Sequence, residues 1–227
     1  MGNLIVIEGT DCSGKETQTK ELYNNLSKNM NVERYSFPMY DTPTGKIIAG
    51  PYLGKEGYCE SYFEEGAANV DPEVAMLLYA ADRLYNADKI EDALKVNDVV
   101  ILDRYIDSNM AHQGGKIFDA DERHDLYDKI DKLEYGMLGM PKPNLTIFLY
   151  MPYDYACILK KNREEAPDGH EMSKEHLLNA EKAFLELAQK YNYQIVNCVK
   201  EGNIRTKEDI AEEVLEIVKN YVNSKAK

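Results

Sequence analysis

The residues from Leu4 to Gln18 read Leu4-Ile5-Val6-Ile7-Glu8-Gly9-Thr10-Asp11-Cys12-Ser13-Gly14-Lys15-Glu16-Thr17-Gln18. An apolar run enters a loop bracketed by two glycines, and a lysine follows at once. The spacing G-x-x-x-x-G-K is that of a phosphate-binding loop. Its chemistry is mechanical. Gly9 and Gly14 let the chain fold tightly, so that the N–H groups across Thr10, Asp11, Cys12 and Ser13 converge on one anion. Lys15 adds a positive charge, and the helix beginning there points its positive end at the same spot. One position departs from the pattern. A Ser or Thr after the lysine ordinarily places a hydroxyl on Mg²⁺, and here Glu16 stands there, with Thr17 one residue on. Without its strand and helix, the same spacing reads as an ordinary turn with a solvated lysine.

A second set follows the run Val99-Val100-Ile101-Leu102, which ends in Asp103-Arg104-Tyr105. Open α/β sheets gather ligands at the carboxyl ends of their strands. An acid there can hold Mg²⁺ or its water shell, and an arginine beside it can clamp a phosphate through two N–H groups. Taken alone, the pair reads equally well as a structural Asp–Arg contact.

Positioning these groups takes strands that alternate with helices. Strands are predicted at Leu4–Ile7, Val32–Ser36, Val99–Leu102, Leu145–Tyr150 and Gln194–Val196. Helical stretches are predicted at Lys15–Met30, Pro72–Lys95, Asp121–Tyr135, Tyr153–Arg163, Ser173–Tyr191 and Thr206–Val222. Such alternation builds a parallel sheet covered on both faces by helices. Thr206 and Asp209 fit a variant capping box, and Ile210, Val214, Ile217, Val218 and Tyr221 form one apolar face, which is packing rather than chemistry. Glu56 to Val70 reads as irregular and acidic. Pro167 and Gly169 break the helical pattern between Arg163 and Glu171, as a mobile lid requires.

Composition narrows the partners. The 227-residue chain is long enough for one domain with a small insertion, and its net charge of −13 repels a nucleic-acid polymer. A small phosphorylated ligand then needs a local basic cluster. The four cysteines, Cys12, Cys59, Cys157 and Cys198, form no C-x-x-C pair, and free buried thiols of a reducing cytosol are expected. No run approaches the roughly 20 apolar residues of a membrane span. The first strand begins too early for a signal peptide, and Val6 breaks the lipidation pattern that Met1-Gly2 starts. A cytoplasmic protein is the expectation.

Further motifs occur in order. Asp103-Arg104-Tyr105-x-x-Ser108-x-x-Ala111-His112-Gln113-Gly114 resembles the thymidylate kinase signature D-R-Y-x-x-S-x-x-A-Y-Q-G. Glu8-Gly9-Thr10-Asp11 is similar to that family's E-G-x-D. Phe37-Pro38-Met39-Tyr40 resembles its F-P segment, Leu77-Leu78-Tyr79-Ala80-Ala81-Asp82-Arg83 its L-[FY]-A-A-x-R helix, and Pro141-Lys142-Pro143-Asn144-Leu145 its lead-in to the fourth strand. The likeness spans about residues 4 to 191, most of the chain.

The resemblance implies a three-layer α/β/α sandwich of the P-loop NTPase type. It has a five-stranded parallel sheet, one domain over 1–227 and a short helical lid at about 160–172. It implies transfer of the ATP γ-phosphoryl to dTMP with Mg²⁺, ATP and dTMP as small-molecule partners, and a homodimer. Gly9 to Thr17 then hold ATP, with Lys15, Asp11, Arg104 and Arg163 catalytic. Asp11 faces the acceptor sugar hydroxyl, Tyr79 stacks on the base, and Arg83 reaches base edge or phosphate from the same helical face. Phe37, Tyr40, Ser108, Asn109 and Gln113 surround the acceptor. Asn109 and Gln113, four apart, can both read a pyrimidine edge.

His112 replaces the family tyrosine that disfavours ribose, which leaves sugar selectivity open. Tyr40 stands where many relatives have arginine. Because Cys12 occupies the loop position that is basic in one branch, Arg163 or Lys160 takes over the charge on the transferring phosphoryl. Asp103, Glu16 and the lid residue Glu171 form the implied metal side. Thr17 can shift into the hydroxyl role, Glu16 can act on the metal directly or through water, or Asp103 and water can suffice. A carboxylate beside a triphosphate repels it unless a cation intervenes, which favours Glu16 acting through the metal. The alternatives are a kinase of another nucleoside monophosphate, or a nucleotide-binding regulatory ATPase. A deoxynucleoside kinase needs an acid after the second strand, where Ser36-Phe37-Pro38 stands instead.

Overall fold

The structure, a computed structural model, describes residues 1–160 and 173–225. The strands are β1 (Asn3–Gly9), β2 (Val32–Ser36), β3 (Val99–Asp103), β4 (Leu145–Tyr150) and β5 (Gln194–Asn197). They form one sheet in the order β2-β3-β1-β4-β5, every pair parallel. The strand expectations thus hold to within a few residues. Side chains alternate across the sheet. Leu4 and Val6 of β1 enter one core with Val100, Leu102 and Phe148, while Ile5 and Ile7 enter the other with Val99, Ile101, Ile147 and Leu149. Helices cover both faces, the α/β/α layering of a P-loop NTPase.

On the second face, α1 (Lys15–Leu26) packs against α9 (Lys207–Lys225). Thr206 Oγ1 accepts from Asp209 N at 3.2 Å as the expected cap, and Ile210, Val214 and Val218 are buried. On the first face, α5 (Ile106–Gly114) packs on α8 (Lys174–Lys190), on α3 (Pro72–Tyr85) and on α6 (Ala120–Asp131). The remaining helices are α2 (Pro43–Ile47), α4 (Ala87–Val96) and α7 (Tyr153–Lys160).

Several boundaries differ from expectation for identifiable reasons. The stretch Pro72–Lys95 is two helices, α3 and α4. The Asn86 side chain at their junction donates to the Asp82 carbonyl at 2.8 Å, an i−4 bond that competes with the backbone ladder. Helix α1 ends at Leu26, four residues early. The third predicted helix narrows to α6 and continues as a π-helical turn over Lys132–Met137, which carries the buried Glu134 inward. Helix α5 lies outside the predicted helical stretches, because its polar sequence carries little apolar periodicity. So do α2 and the small hairpin of β6 (Val199–Lys200) with β7 (Asn203–Ile204). The expectation of buried thiols is corrected. None of the four cysteines forms a disulfide, but only Cys198 is buried, Cys12 and Cys157 are half-buried and Cys59 is exposed. Cys59 falls in the irregular segment after α2, which lies over the surface. Most of the lid expected at about 160–172, with Arg163 and Glu171, lies outside the described residues.

Candidate active site

The loop after β1 closes on itself. Cys12 and Gly14 adopt left-handed backbone angles, φ 56 and 79. Gly9 has no room for a side chain, since a Cβ there would lie 2.4 Å from Ser13 Oγ and 2.7 Å from the Leu149 carbonyl. Thr10 ties the loop to the end of β4, donating to the Met151 carbonyl at 2.7 Å and accepting from Met151 N at 2.9 Å. The buried Lys15 ammonium donates to the Gly9 and Thr10 carbonyls at 2.9 and 2.8 Å. Burial, then Arg104, pushes its pKa down to about 8 against the pull of Asp11, Asp103 and Glu8. Ser13 Oγ is buried with no hydrogen-bond partner among the described residues.

Asp11 leaves the loop towards two cations, Arg104 at 3.8 Å and Lys160 of α7 at 3.4 Å. Burial raises its carboxyl, and Lys15, Arg104 and Lys160 outweigh that and hold it below the ordinary value. Arg104 follows β3 with a positive φ of 65, a strained setting for a side chain of its size. Its N–H bonds the Ile7 carbonyl at 3.1 Å, which locks that turn against β1. Asp103 ends β3, and its carboxylate makes no hydrogen bond or ion pair with another described residue. Burial raises its pKa, partly offset by Arg104 and Lys15.

A cleft of about 620 Å³ opens beside these groups. Asp11, Phe37, Tyr40, Tyr79, Arg83, Arg104, Ser108, Asn109, His112 and Gln113 all line it, with Pro38, Leu53 and Tyr105. The structure therefore brings together every residue expected to touch an acceptor, from the loop, the F-P segment, α3 and α5. Their individual settings vary. Tyr79 presents its ring edge-on to Tyr52, centroids 5.8 Å apart. Tyr40 lies 5.1 Å beneath the Lys55 ammonium. Phe37 packs on Tyr105, and Ser108 Oγ donates to Glu8 at 2.6 Å. His112 stacks on His176 of α8 at 5.5 Å, their ring nitrogens 3.3 Å apart. Burial lowers the His176 pKa to about 4.

Acids behind the cleft hold its walls. Glu8 accepts from Tyr105 N at 2.7 Å and from Ser108 N at 3.1 Å, which fixes the start of α5. Glu134 pairs through both oxygens with the buried Arg83 and also accepts from Asn109 Nδ2 at 3.2 Å. Asp82 accepts from Met39 N at 2.9 Å and Thr44 Oγ1 at 2.7 Å, joining the F-P segment to α3. None of these acids was singled out from sequence as a site residue. Glu8 carried a signal, an acid at the end of an apolar strand. Glu134 carried none, because its partner is remote. What the acids leave bare faces the cleft. Asn109 Oδ1 and both amide atoms of Gln113 are buried with no partner among the described residues.

The implied metal side is less closed. Glu16 is exposed on the first turn of α1 and pairs with Lys20 at 2.6 Å, and Thr17 is half-buried beside it. Among the described residues, no group of three His, Cys, Asp or Glu side chains converges for a metal.

Comparison with known proteins agrees over nearly the whole chain. The thymidylate kinase family model matches residues 7–210. The thymidylate kinase of Schizosaccharomyces pombe is 28% identical over 96% of this chain and 92% of its own length. A probable thymidylate kinase of Methanocaldococcus jannaschii is 30% identical over 95% of both chains. Among solved structures, the thymidylate kinase of Candida albicans superposes with a TM-score of 0.73 at 28% identity, over 96% of this chain and 92% of that one. The ordered motifs, the sheet order and these likenesses converge, and the chain belongs to the thymidylate kinase family.

Proposed function

We propose that this chain transfers the γ-phosphoryl group of ATP to dTMP, giving ADP and dTDP. The observation that carries the acceptor assignment is the set of buried amide atoms on Asn109 and Gln113 that have no partner among the described residues, in a cleft walled by Tyr79. A buried amide without a partner costs free energy of about 1–3 kcal/mol. A pyrimidine edge offers matching donors and acceptors, and the tyrosine ring offers its face to the base.

On the donor side, the fit rests on Ser13 Oγ and Lys15. Among the described residues Ser13 Oγ has no hydrogen-bond partner, and the Lys15 ammonium donates to carbonyls of its own loop. Exchanging those carbonyls for phosphate oxygens supplies a full negative charge to a cation that burial has weakened. The loop amides and Lys15 hold the ATP phosphates, and Arg104 bridges towards the acceptor phosphate. An acceptor phosphate oxygen forms the new bond to phosphorus as the bond to the ADP oxygen breaks. The acceptor is already an anion at neutral pH, so positioning and charge neutralisation do the catalytic work. Asp11 stays ionised between Arg104 and Lys160 and accepts from the acceptor sugar hydroxyl.

Mg²⁺ supplies charge neutralisation across the transferring phosphates. Asp103 fits such an ion, being a buried carboxylate at a strand end with no hydrogen bond or ion pair among the described residues. Glu16 would add an outer carboxylate on the metal side, and Glu171 is assigned to that side on sequence alone. Lys160 already brings a cation to Asp11. Arg163 is assigned the transferring phosphoryl on sequence alone, so Arg163→Ala lowers kcat far more than it weakens nucleotide binding.

The family likeness also supports a homodimer. Val74, Leu77, Leu84 and Tyr85 stand exposed along one side of α3 and suit a second copy. Light scattering of Leu77→Glu against the parent chain tests it. The cytoplasm suits an ATP-dependent enzyme with free thiols. No helix among the described residues is long and apolar enough to cross a membrane.

A coupled ADP-release assay with dTMP, dUMP, UMP, CMP, dGMP and AMP tests the whole reading. The expected result is the highest kcat/KM with dTMP. Turnover that no monophosphate stimulates overturns it in favour of a regulatory ATPase.

A further inference from the structure

Helix α5 has two working sides. One carries Asn109, His112 and Gln113 into the acceptor cleft, and the other carries Asp107 and Met110 into a separate cleft of about 980 Å³ at the starts of β4 and β5. The floor of this second cleft holds Asp107, 5% exposed. Its Oδ1 accepts from the Tyr193 hydroxyl, while Oδ2 is buried with no hydrogen-bond partner among the described residues. Tyr135, Tyr191 and Tyr193 wall the cleft, and the half-buried carboxylate of Asp131 also lines it. Burial, then the neighbouring Glu8, pushes the Asp107 pKa up to about 7, and a cation bound beside it would favour the ionised carboxylate.

The rings already display the chemistry they select. The Lys142 ammonium lies 4.9 Å from the Tyr135 ring centre and that of Lys190 5.6 Å from Tyr191. Tyr193, stacked on Tyr191 at 6.2 Å, carries no such ammonium among the described residues, and it stands against the acid with the bare oxygen. An alkylammonium group placed there donates a charge-assisted hydrogen bond to Asp107 and gains the attraction of the aromatic faces. A second ammonium on the same molecule meets Asp131.

We propose that this cleft is a second small-molecule site, distinct from the catalytic one, and that it takes a short alkyl diamine. The bound molecule sits on the opposite side of the helix that reads the acceptor.

The test is calorimetric titration of 1,4-diaminobutane into the full chain with dTMP and a non-hydrolysable ATP analogue at saturation. The expected result is one saturable site per chain that persists with the catalytic cleft filled. Asp107→Asn is expected to weaken it about tenfold or more. The absence of saturable binding, displacement by dTMP, or an unchanged affinity in Asp107→Asn overturns the proposal. Where circular dichroism shows that Asp107→Asn fails to fold, Tyr191→Ala decides. This ring is 36% exposed, and its loss should weaken binding several-fold, with unchanged affinity overturning the site.

Discussion

In the loop between β1 and α1, polar groups turn towards one another. Lys15 rests on the Gly9 and Thr10 carbonyls, and Thr10 is bonded in both directions to Met151. Across the cleft, on α3 and α5, polar groups are bonded from behind by Glu8, Asp82 and Glu134, while buried amide atoms of Asn109 and Gln113 have no partner among the described residues. The proposed donor side, Ser13 Oγ apart, is thus satisfied from within and must exchange the Lys15 bonds to bind a phosphate. The acceptor side is held open and pre-arranged, at a cost to the free protein. A triphosphate carries enough charge to displace internal carbonyls. A nearly neutral base does not, so its partners must be waiting for it.

The comparison can be broken at either side. Lys15→Ala removes the cation that the loop stores, and kcat should fall by about 10³-fold in steady-state assays. A small change would mean that the backbone amides alone carry the donor side. Glu134→Ala leaves Arg83 charged and unpaired in the interior. The expected loss is about 3–5 kcal/mol, seen as a melting temperature lower by roughly 10 °C. The double change Arg83→Met with Glu134→Leu should recover most of that loss, because it removes the orphaned charge. If the double change melts as low as the single one, the pair's worth lies in packing rather than charge.

Gln113→Leu sharpens the contrast. It deletes amide atoms that the free protein leaves unpaired, so kcat/KM for dTMP should drop about 10–100-fold while the melting temperature holds or rises. A fall in stability would show that Gln113 serves the fold.

The pH dependence addresses the donor side. Lys15 is charged below about 8 and loses its proton above it. The ATP kcat/KM should therefore fall about tenfold per pH unit above that value, and Lys15→Arg should flatten this limb. Stability responds in the opposite direction. The unfolded chain keeps this proton to about 10.5 and the folded chain releases it near 8, so the penalty present at lower pH fades between those values.

The smallest effect is expected at Glu16. Its pair with Lys20 is exposed, so Glu16→Ser should leave the melting temperature nearly unchanged while weakening apparent Mg²⁺ affinity several-fold. An unaltered Mg²⁺ dependence would remove Glu16 from the metal side.

How far the sequence reached follows the same division. The phosphate loop was readable because its geometry is local: two glycines and a lysine within seven contiguous residues need only a strand before them and a helix after. The central strands β1 and β3 were readable because they are apolar on both faces and the sheet buries both, whereas the edge strands β2 and β5 carry polar residues and were read from their place between helices. Helix α5 escaped the periodicity, since it buries the polar Asp107, Ser108, Asn109 and Gln113 alongside the core residues Ile106, Met110 and Ala111. The candidate acceptor residues were singled out through the family's ordered motifs rather than by spacing, and the fold brings them to one cleft.

The linear chain thus determined the five strands of the sheet, most of the long helices, the loop and the chemical types available at each turn, because those depend on neighbours a few residues away. Only the folded molecule decided which acid holds which wall. Glu134 meets Arg83 across 51 residues, His176 meets His112 across 64, and Glu8 meets Ser108 across 100. A bond between distant residues leaves no mark on local pattern, because its energy exists only once the sheet and helices have placed its ends together.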